Sequence, residues 1–505
     1  MLYPKIASFP AGLKKLAEDW KSNFDRAVED ASAKFKSLMK SHFQSLGGLS
    51  PGALHDIELK VHTEVMRDCV DPVVGAFIQY AHGSVEVQEQ ALKIMACQPG
   101  LRLQVTAQRV KLTLLGGSKC TVYSPYYLFR PARGPGRPRG KGKRGPEGNG
   151  VYPLLEALGI HYRVSPALGS EVARSVAMGT VDQAQLTLKM RGIDLDRKVI
   201  RRLTLRLAER ALAYREWVMA KAEAGYRGSS CKGKRIVIST DGGRIRTRKS
   251  RRGRRLKSGH HRFDAAWREP KVFVIYEIDA RGKKVRRGLL RYDATMEAAD
   301  GLFKLLESVL REIGAHEADE WVIVADGAEW IWNRAKDLAV ALDFDPSKVT
   351  EVVDLYHTVQ HLHQIAKEVT RWSDGERKAW VKKMKGHLLN DEFQSVQSAV
   401  EELCRGRKAK KIRKLLPYLI DNSARLRYSV FRKRHIPIGS GAVESCVRRV
   451  VNLRLKGNGI FWTLETAEGI LHLRAQMLSG RWDKFVKTLL EPHLLWSLEG
   501  EKVAA

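Results

Sequence analysis

The chain has 505 residues, several times the ordinary domain size of ~150 residues, so it should carry more than one module. Its 89 lysines and arginines against 56 aspartates and glutamates leave a net charge of +33, which favours polyanionic partners, DNA or RNA, over acidic ones. No apolar run approaches the ~18–20 residues that span a bilayer, Met1 to Lys15 lacks a secretory layout, and the six cysteines (Cys69, Cys97, Cys120, Cys231, Cys404, Cys446) form no C-x-x-C pair. No membrane partner, disulfide framework or zinc ribbon is therefore expected, and the protein should be soluble and intracellular.

In residues 1–129, Leu16, Trp20, Phe24, Val28, Phe35, Leu38 and Met39 recur mostly at helical intervals, which predicts a long amphipathic helix. Its apolar stripe can serve core packing or self-association. Gln104 to Tyr127 reads as a short strand pair broken at Gly116-Gly117. Residues 130–150 exchange apolar side chains for proline, glycine, arginine and lysine, the composition of a basic linker. Within it, the run with Arg137, Arg139 and Lys141 is similar to an AT-hook, whose Arg-Pro core lies in the narrow minor groove; a plain basic tether is the alternative. Residues 151–233 predict helices over Glu171 to Met178, Val181 to Met190 and Asp196 to Leu212. The last carries Arg201 and Arg202, as a helix-turn-helix reader of DNA would, although an ordinary three-helix unit would look the same.

From residue 234 the pattern turns to strands: Arg235 to Thr240, Lys271 to Asp279, Arg286 to Tyr292, Trp321 to Ala325 and Val349 to Val353. Helices are expected over Glu297 to Ile313 and Glu329 to Ala341. Three strands, a helix, a strand, a helix and a strand is the order of an RNase H-like α/β domain. In that architecture Asp241 and Asp326 would end neighbouring strands. A third carboxylate, Glu444, follows the turn Gly439-Ser440-Gly441. Three carboxylates suit hard divalent cations, Mg²⁺ or Mn²⁺, of which two can serve phosphodiester chemistry. Asp354 and His357 are expected to support this site or meet substrate. His357 and His361 share one helix face, but without evident further ligands zinc is not expected. The run Arg244, Arg246, Arg251, Arg252, Arg254 and Arg255 should lie along phosphates. Residues 361–433 read as a helical insertion, 434–480 as the return to the catalytic core with Glu444, and 481–505 as a tail.

These residues resemble the DDE transposases of bacterial insertion sequences, especially the ISKra-type and ISLre-type groups, related in pattern to Mutator-like elements. Asp241 in Ser-Thr-Asp-Gly-Gly, Asp326 in Val-Ala-Asp-Gly-Ala-Glu-Trp and Glu444 in Gly-Ser-Gly-Ala-Val-Glu-Ser match the catalytic triad, and Asp354 with His357 the Asp-x-x-His signature. Trp267 and Glu269, in Trp-Arg-Glu, and Arg454, Lys456 and Trp462 are similar to further motifs of these groups; Trp462 could stack on an extruded base, or simply fill the core. Relatives often carry paired cysteines where this chain has Tyr127 to Arg130. The resemblance implies mainly helical N-terminal DNA-binding modules and an enzyme of the bacterial cytoplasm, associated with the nucleoid. It would bind the terminal inverted repeats of its element and join them to target DNA as a homo-oligomer. The alternatives are a nuclease of the same fold, including an RNA-guided one, that cuts without joining, and an inactive DNA-binding protein.

Overall fold

A computed structural model describes residues 12–44, 50–98, 100–129, 150–251, 253, 261–405 and 409–491. The chain divides into two compact units, Met1–Arg210 with Val486–Ala505, and Ala211–Phe485. The AT-hook-like residues Arg137, Arg139 and Lys141 lie outside the described residues, as do Arg252, Arg254 and Arg255.

In the first unit, α1 (Gly12–Gln44), α2 (Pro51–Val65), α3 (Asp71–Ala81) and α4 (Val85–Ala96) precede a strand pair. The long helix expected from the apolar periodicity is α1, and it packs on α3, with the Phe24 ring 6.2 Å from that of Phe77. Val28, Phe35 and Phe43 nevertheless stay exposed. Strands β1 (Leu101–Thr113) and β2 (Lys119–Phe129) are antiparallel, and β3 (Gly150–Val151) pairs with β2. Their turn is fixed by a buried carboxylate: Asp71 accepts from the Gly116 and Ser118 amides, each at 3.0 Å. Glycine is required there, because a Cβ on residue 116 would stand 2.7 Å from the Met66 carbonyl oxygen, and Gly117 has φ +92.

Next come α5 (Pro153–Ala157), α6 (Pro166–Met178), α7 (Val181–Met190) and α8 (Arg197–Glu223). A capping box starts α7: Thr180 accepts from the Gln183 amide while the Gln183 side chain accepts from the Thr180 amide. Asp196 caps α8 by accepting from the Lys198 amide at 2.7 Å. The sequence placed the end of this helix at Leu212, but Tyr214, Trp217, Val218 and Ala222 continue apolar residues along it and carry it to Glu223. Arg201 and Arg202 are exposed on it beside buried Leu203 and Thr204.

Two histidines make this unit acid-sensitive. Burial pushes His82 down to about 4 and, aided by the charges of Arg206 and Arg210, His161 down to about 3. Both are neutral when folded, whereas the unfolded chain binds protons below about 6.5. Their contribution is complete above that pH and is lost as the pH falls towards the folded values. Denaturation at pH 5 should show about 2 kcal/mol less stability per histidine than at pH 7. A His82→Gln variant should lose part of that slope; an unchanged slope would refute the assignment.

The second unit contains β4 (Arg235–Gly242), β5 (Ile245–Ser250), β6 (Phe263–Arg268), β7 (Lys271–Ile278), β8 (Leu290–Thr295), β9 (Glu320–Ala325) and β10 (Val349–Val353). Five of them form one mixed sheet in the order β10-β9-β4-β7-β8, and β5 pairs with β6 as a separate hairpin. β9 runs parallel to β4 and β10, and β7 antiparallel to β4 and β8. The central strands are near-continuous apolar runs because both faces are covered: Ile236 to Ile238, Val272 to Ile275 and Trp321 to Ala325 are all buried. The third sheet strand starts later than the sequence suggested, at Leu290, because Arg287 (φ +63) and Gly288 form the preceding turn.

Helices α9 (Ala299–Glu312) and α10 (Glu329–Ala341) flank β9 in sequence. After β10 come α11 (Leu355–Glu368), α12 (Asp374–Leu389), α13 (Phe393–Leu403), α14 (Lys410–Asp421) and α15 (Tyr428–Lys433), the helical stretch expected there. The chain then returns to the sheet through α16 (Gly441–Cys446), a π-helical stretch Val447–Asn452, α17 (Leu453–Leu455) and α18 (Leu464–Leu478); α19 (Trp482–Leu490) follows. α16 packs on β7 and β4, and α18 on β8. The molecule is thus mixed α/β with a helical N-terminal region, and among the described residues no helix is long and apolar enough to cross a membrane.

Candidate functional site

The apolar register of β4 and β9 decides where two carboxylates go. These strands are adjacent and parallel, so their C-terminal ends meet at one edge of the sheet, where Asp241, the second-last residue of β4, and Asp326, which directly follows β9, both lie. Asp241 accepts from the Gly242 amide at 2.6 Å. Asp326 accepts from the Ala328 amide at 3.1 Å, and its carbonyl takes the Trp332 indole N–H at 2.8 Å. Both line an open cleft of ≈ 670 Å³ together with Glu269, Arg244, Trp267 and Lys456.

Three carboxylates, Asp241, Glu269 and Asp326, share the lining with three cations, Arg244, Arg268 and Lys456. Burial pushes Asp241 up to about 6; the Asp326 and Glu269 carboxylates push the same way, while the Gly242 N–H and His357 oppose them. Glu269 is brought so close that a Cβ on residue 242 would stand 2.3 Å from its Oε1, so any larger residue there would push the Glu269 side chain aside. Lys271 holds Glu269 from the other side at 3.0 Å and sits 4.1 Å from the Trp330 ring centroid. Lys271 and Trp330 were missed in the sequence; only the two-residue spacing from Glu269 to Lys271 on an emerging strand hinted at the pair.

Glu444 stands apart from this cleft lining. It lies on α16, its side chain 56% exposed, with its Oε1 3.8 Å from His357 Nε2. Among the described residues no three His, Cys, Asp or Glu side chains are grouped closely enough to hold one ion. The carboxylate oxygens of Asp241, Asp326 and Glu269 are of the donor type that hard divalent cations prefer, although in this arrangement the three are not drawn together around one point.

Of the two roles expected for Asp354, support fits its place. It is fully buried and caps α11, accepting from the His357 amide at 2.8 Å and also from the Ser440 amide. Its own amide donates to the Ala325 carbonyl at 2.8 Å. Substrate contact is therefore replaced by a positioning role: Asp354 ties the end of β9 to the Gly439-Ser440 turn that leads into Glu444. His357, on the first turn of α11, faces the carboxylates, whereas His361 stacks on Tyr418 with ring centroids 3.6 Å apart. Burial lowers the pKa of His361, helped by His357 and opposed by Asp326. Tyr418 in turn closes over Gly327, where a Cβ would meet its ring at 2.1 Å.

The basic run after Asp241 is a hairpin over its described part. Arg244 and Arg246 lie over the Trp267 ring at 5.0 and 5.8 Å, and Arg246 also over Phe461 at 4.6 Å. Trp267 is half exposed, so the hairpin presents a cationic and aromatic face at the cleft. Arg251 is exposed and bonds Asp264 across the hairpin at 2.7 Å. Of the two roles open to Trp462, core filling is the one seen, and Arg454 is buried with it: they are only 9% and 7% exposed. Trp462 pairs through its backbone with Arg246 and Arg248, donates its indole N–H to the Leu455 carbonyl at 2.9 Å, and carries Arg454 over its ring at 4.9 Å. Burial, with Arg474 nearby, pushes Arg454 down to about 10. This pair clasps the hairpin to the unit instead of presenting a face to DNA; Lys456, two residues on, does reach the cleft. Compared with known proteins, the chain matches no family model and no curated protein.

Proposed function

We propose that the chain is a DNA transposase that binds the terminal inverted repeats of an insertion sequence, cleaves at them and joins the ends to target DNA. The observation that carries this reading is the pairing of Asp241 and Asp326 at the ends of adjacent parallel strands in one open, charge-lined cleft. The strand order and directions fit an RNase H-like α/β domain interrupted by helices between β10 and α16. The net charge of +33 fits a partner that is itself a polyanion.

In this reading Asp241 and Asp326 hold Mg²⁺ or Mn²⁺, with Glu269 beside them and Glu444 approaching on α16. Such a cation, when bound, would supply Lewis acidity that activates a water or 3′-hydroxyl and neutralises charge developing on the phosphodiester. The chain's own contribution is positioning. Asp354 sets the turn before Glu444, His357 faces Asp241, and the arginines over Trp267 with Lys456 give the phosphates a cationic wall. Two ends must be joined in one event, so a homo-oligomer is part of the proposal, as is DNA contact through Arg201 and Arg202.

The test incubates purified protein with labelled element ends, a target plasmid and Mg²⁺ or Mn²⁺, comparing wild type with Asp326→Asn. Joined products from wild type alone are expected. Cutting without joining would replace the proposal by a nuclease, and binding with neither product would replace it by a DNA-binding protein without catalysis.

A further inference from the structure

The first unit contains a second cleft, of ≈ 500 Å³, that the carboxylate chemistry does not use. Three tyrosines, Tyr126, Tyr152 and Tyr162, and three arginines, Arg163, Arg202 and Arg206, line it, with Glu156 as the carboxylate on the same wall. The rings of Tyr126 and Tyr152 lie 4.9 Å apart at 39°, and Tyr162 is 44% exposed. Three guanidiniums against one carboxylate leave the cleft positive. The buried imidazole of His161, also in the lining, is held neutral by burial and by Arg206 and Arg210, so it adds no charge. The Nε of Arg206 is buried without a hydrogen-bond partner.

The backbone at the mouth is the second observation. Val164 N donates to the His161 carbonyl at 3.0 Å across a two-residue turn whose central residues, Tyr162 and Arg163, have φ +52 and +61. Positive φ at both positions is the habit of Asn-Gly, and side chains as large as these are strained there. Strain of this kind persists where the side chains it aims are used. Here it delivers a tyrosine ring and a guanidinium to the cleft.

We infer that this cleft binds a nucleoside phosphate, with the base against the tyrosine rings and the phosphate on Arg163, Arg202 and Arg206. Aromatic rings with interleaved arginines take stacked bases and phosphates without sequence preference, and the volume is that of an ordinary small-ligand site. The ligand is either a unit of a single DNA strand or a free nucleotide. The site lies in the first unit and stands whether or not the strand-transfer assay succeeds.

The test uses the full chain and the double variant Tyr162→Asn/Arg163→Gly, which installs the residues the turn prefers and should therefore melt above wild type. Its affinity for labelled oligothymidylate should nonetheless fall about tenfold or more, the worth of one stacked base and its phosphate. Iodouracil-substituted oligonucleotide should crosslink to Tyr162 or Tyr126. Competition by adenosine monophosphate would assign the site to a free nucleotide, and its failure to compete to a strand; both uphold the site. Unchanged affinity in the folded variant would overturn it. So would an equal loss in the surface control Arg286→Ala/Arg432→Ala, which would reduce the effect to net charge.

Discussion

Asp241→Asn is expected to abolish cleavage and joining, a loss of about a thousandfold or more, while making the metal-free protein harder to melt. The carboxyl of Asp241 is pushed up to about 6 by burial and by its acidic neighbours. An acid whose folded pKa exceeds its unfolded value is disfavoured in its charged form. The penalty is absent below about 3.8, grows as the pH rises, and is complete above about 6, where it amounts to about 3 kcal/mol. Asparagine removes it, so the variant should gain stability at pH 7.5 and almost none at pH 4. Mg²⁺ should relieve the same penalty in wild type, raising its melting temperature at pH 7.5, with a much smaller rise for Asp241→Asn. Thermal melts at two pH values, with and without Mg²⁺, read all of this. A variant that melts lower at pH 7.5, or an equal Mg²⁺ effect in both proteins, would remove Asp241 from the metal site.

Asp354→Ala should cost about 3–5 kcal/mol, because the His357 and Ser440 amides would both lose a charged acceptor in a buried place. Against a total stability of about 5–15 kcal/mol this is a large fraction. Activity should fall as well, since the Gly439-Ser440 turn and Glu444 lose their anchor. Asp354→Asn keeps one acceptor oxygen and should fall between. Urea denaturation decides the matter: an alanine variant within 1 kcal/mol of wild type (roughly the worth of a single exposed cap) would show that the two amides find other partners.

Much of the sheet could be read from the sequence because its central strands are buried on both faces and so appear as apolar runs ending in Asp241 and Asp326. The β5–β6 hairpin could not. Its strands, Ile245-Arg-Thr-Arg-Lys-Ser and Phe263-Asp-Ala-Ala-Trp-Arg, hide their pairing under charge, and the arginines are stacked on aromatic rings from Trp267 and Phe461 that no local pattern joins to them. Asp354 looked like a site residue because it sits at the end of a strand, as Asp241 does, but its role is to hold a turn rather than line the cleft. What separates the two is the Ser440 amide, contributed from far along the chain. For Trp462 the sequence left base stacking and core filling open, because a tryptophan near a basic stretch can be a binding platform; here its indole N–H and backbone are spent inside the unit.

The last strand of the sheet edge, β8, depends on a helix made much later. Asp293 is buried on β8 and its oxygens accept from His472 Nδ1 on α18 at 3.0 and 3.1 Å, across a separation of 179 residues. Ribosomes add ~5–20 residues per second, so on a nascent chain β8 waits roughly 10–40 s for the element that covers it. Throughout that interval an edge strand lies open and its aspartate lacks the imidazole that will bury it. The sheet is therefore completed only after α18 has been made, and chains stalled before it should be substrates for chaperones and proteases.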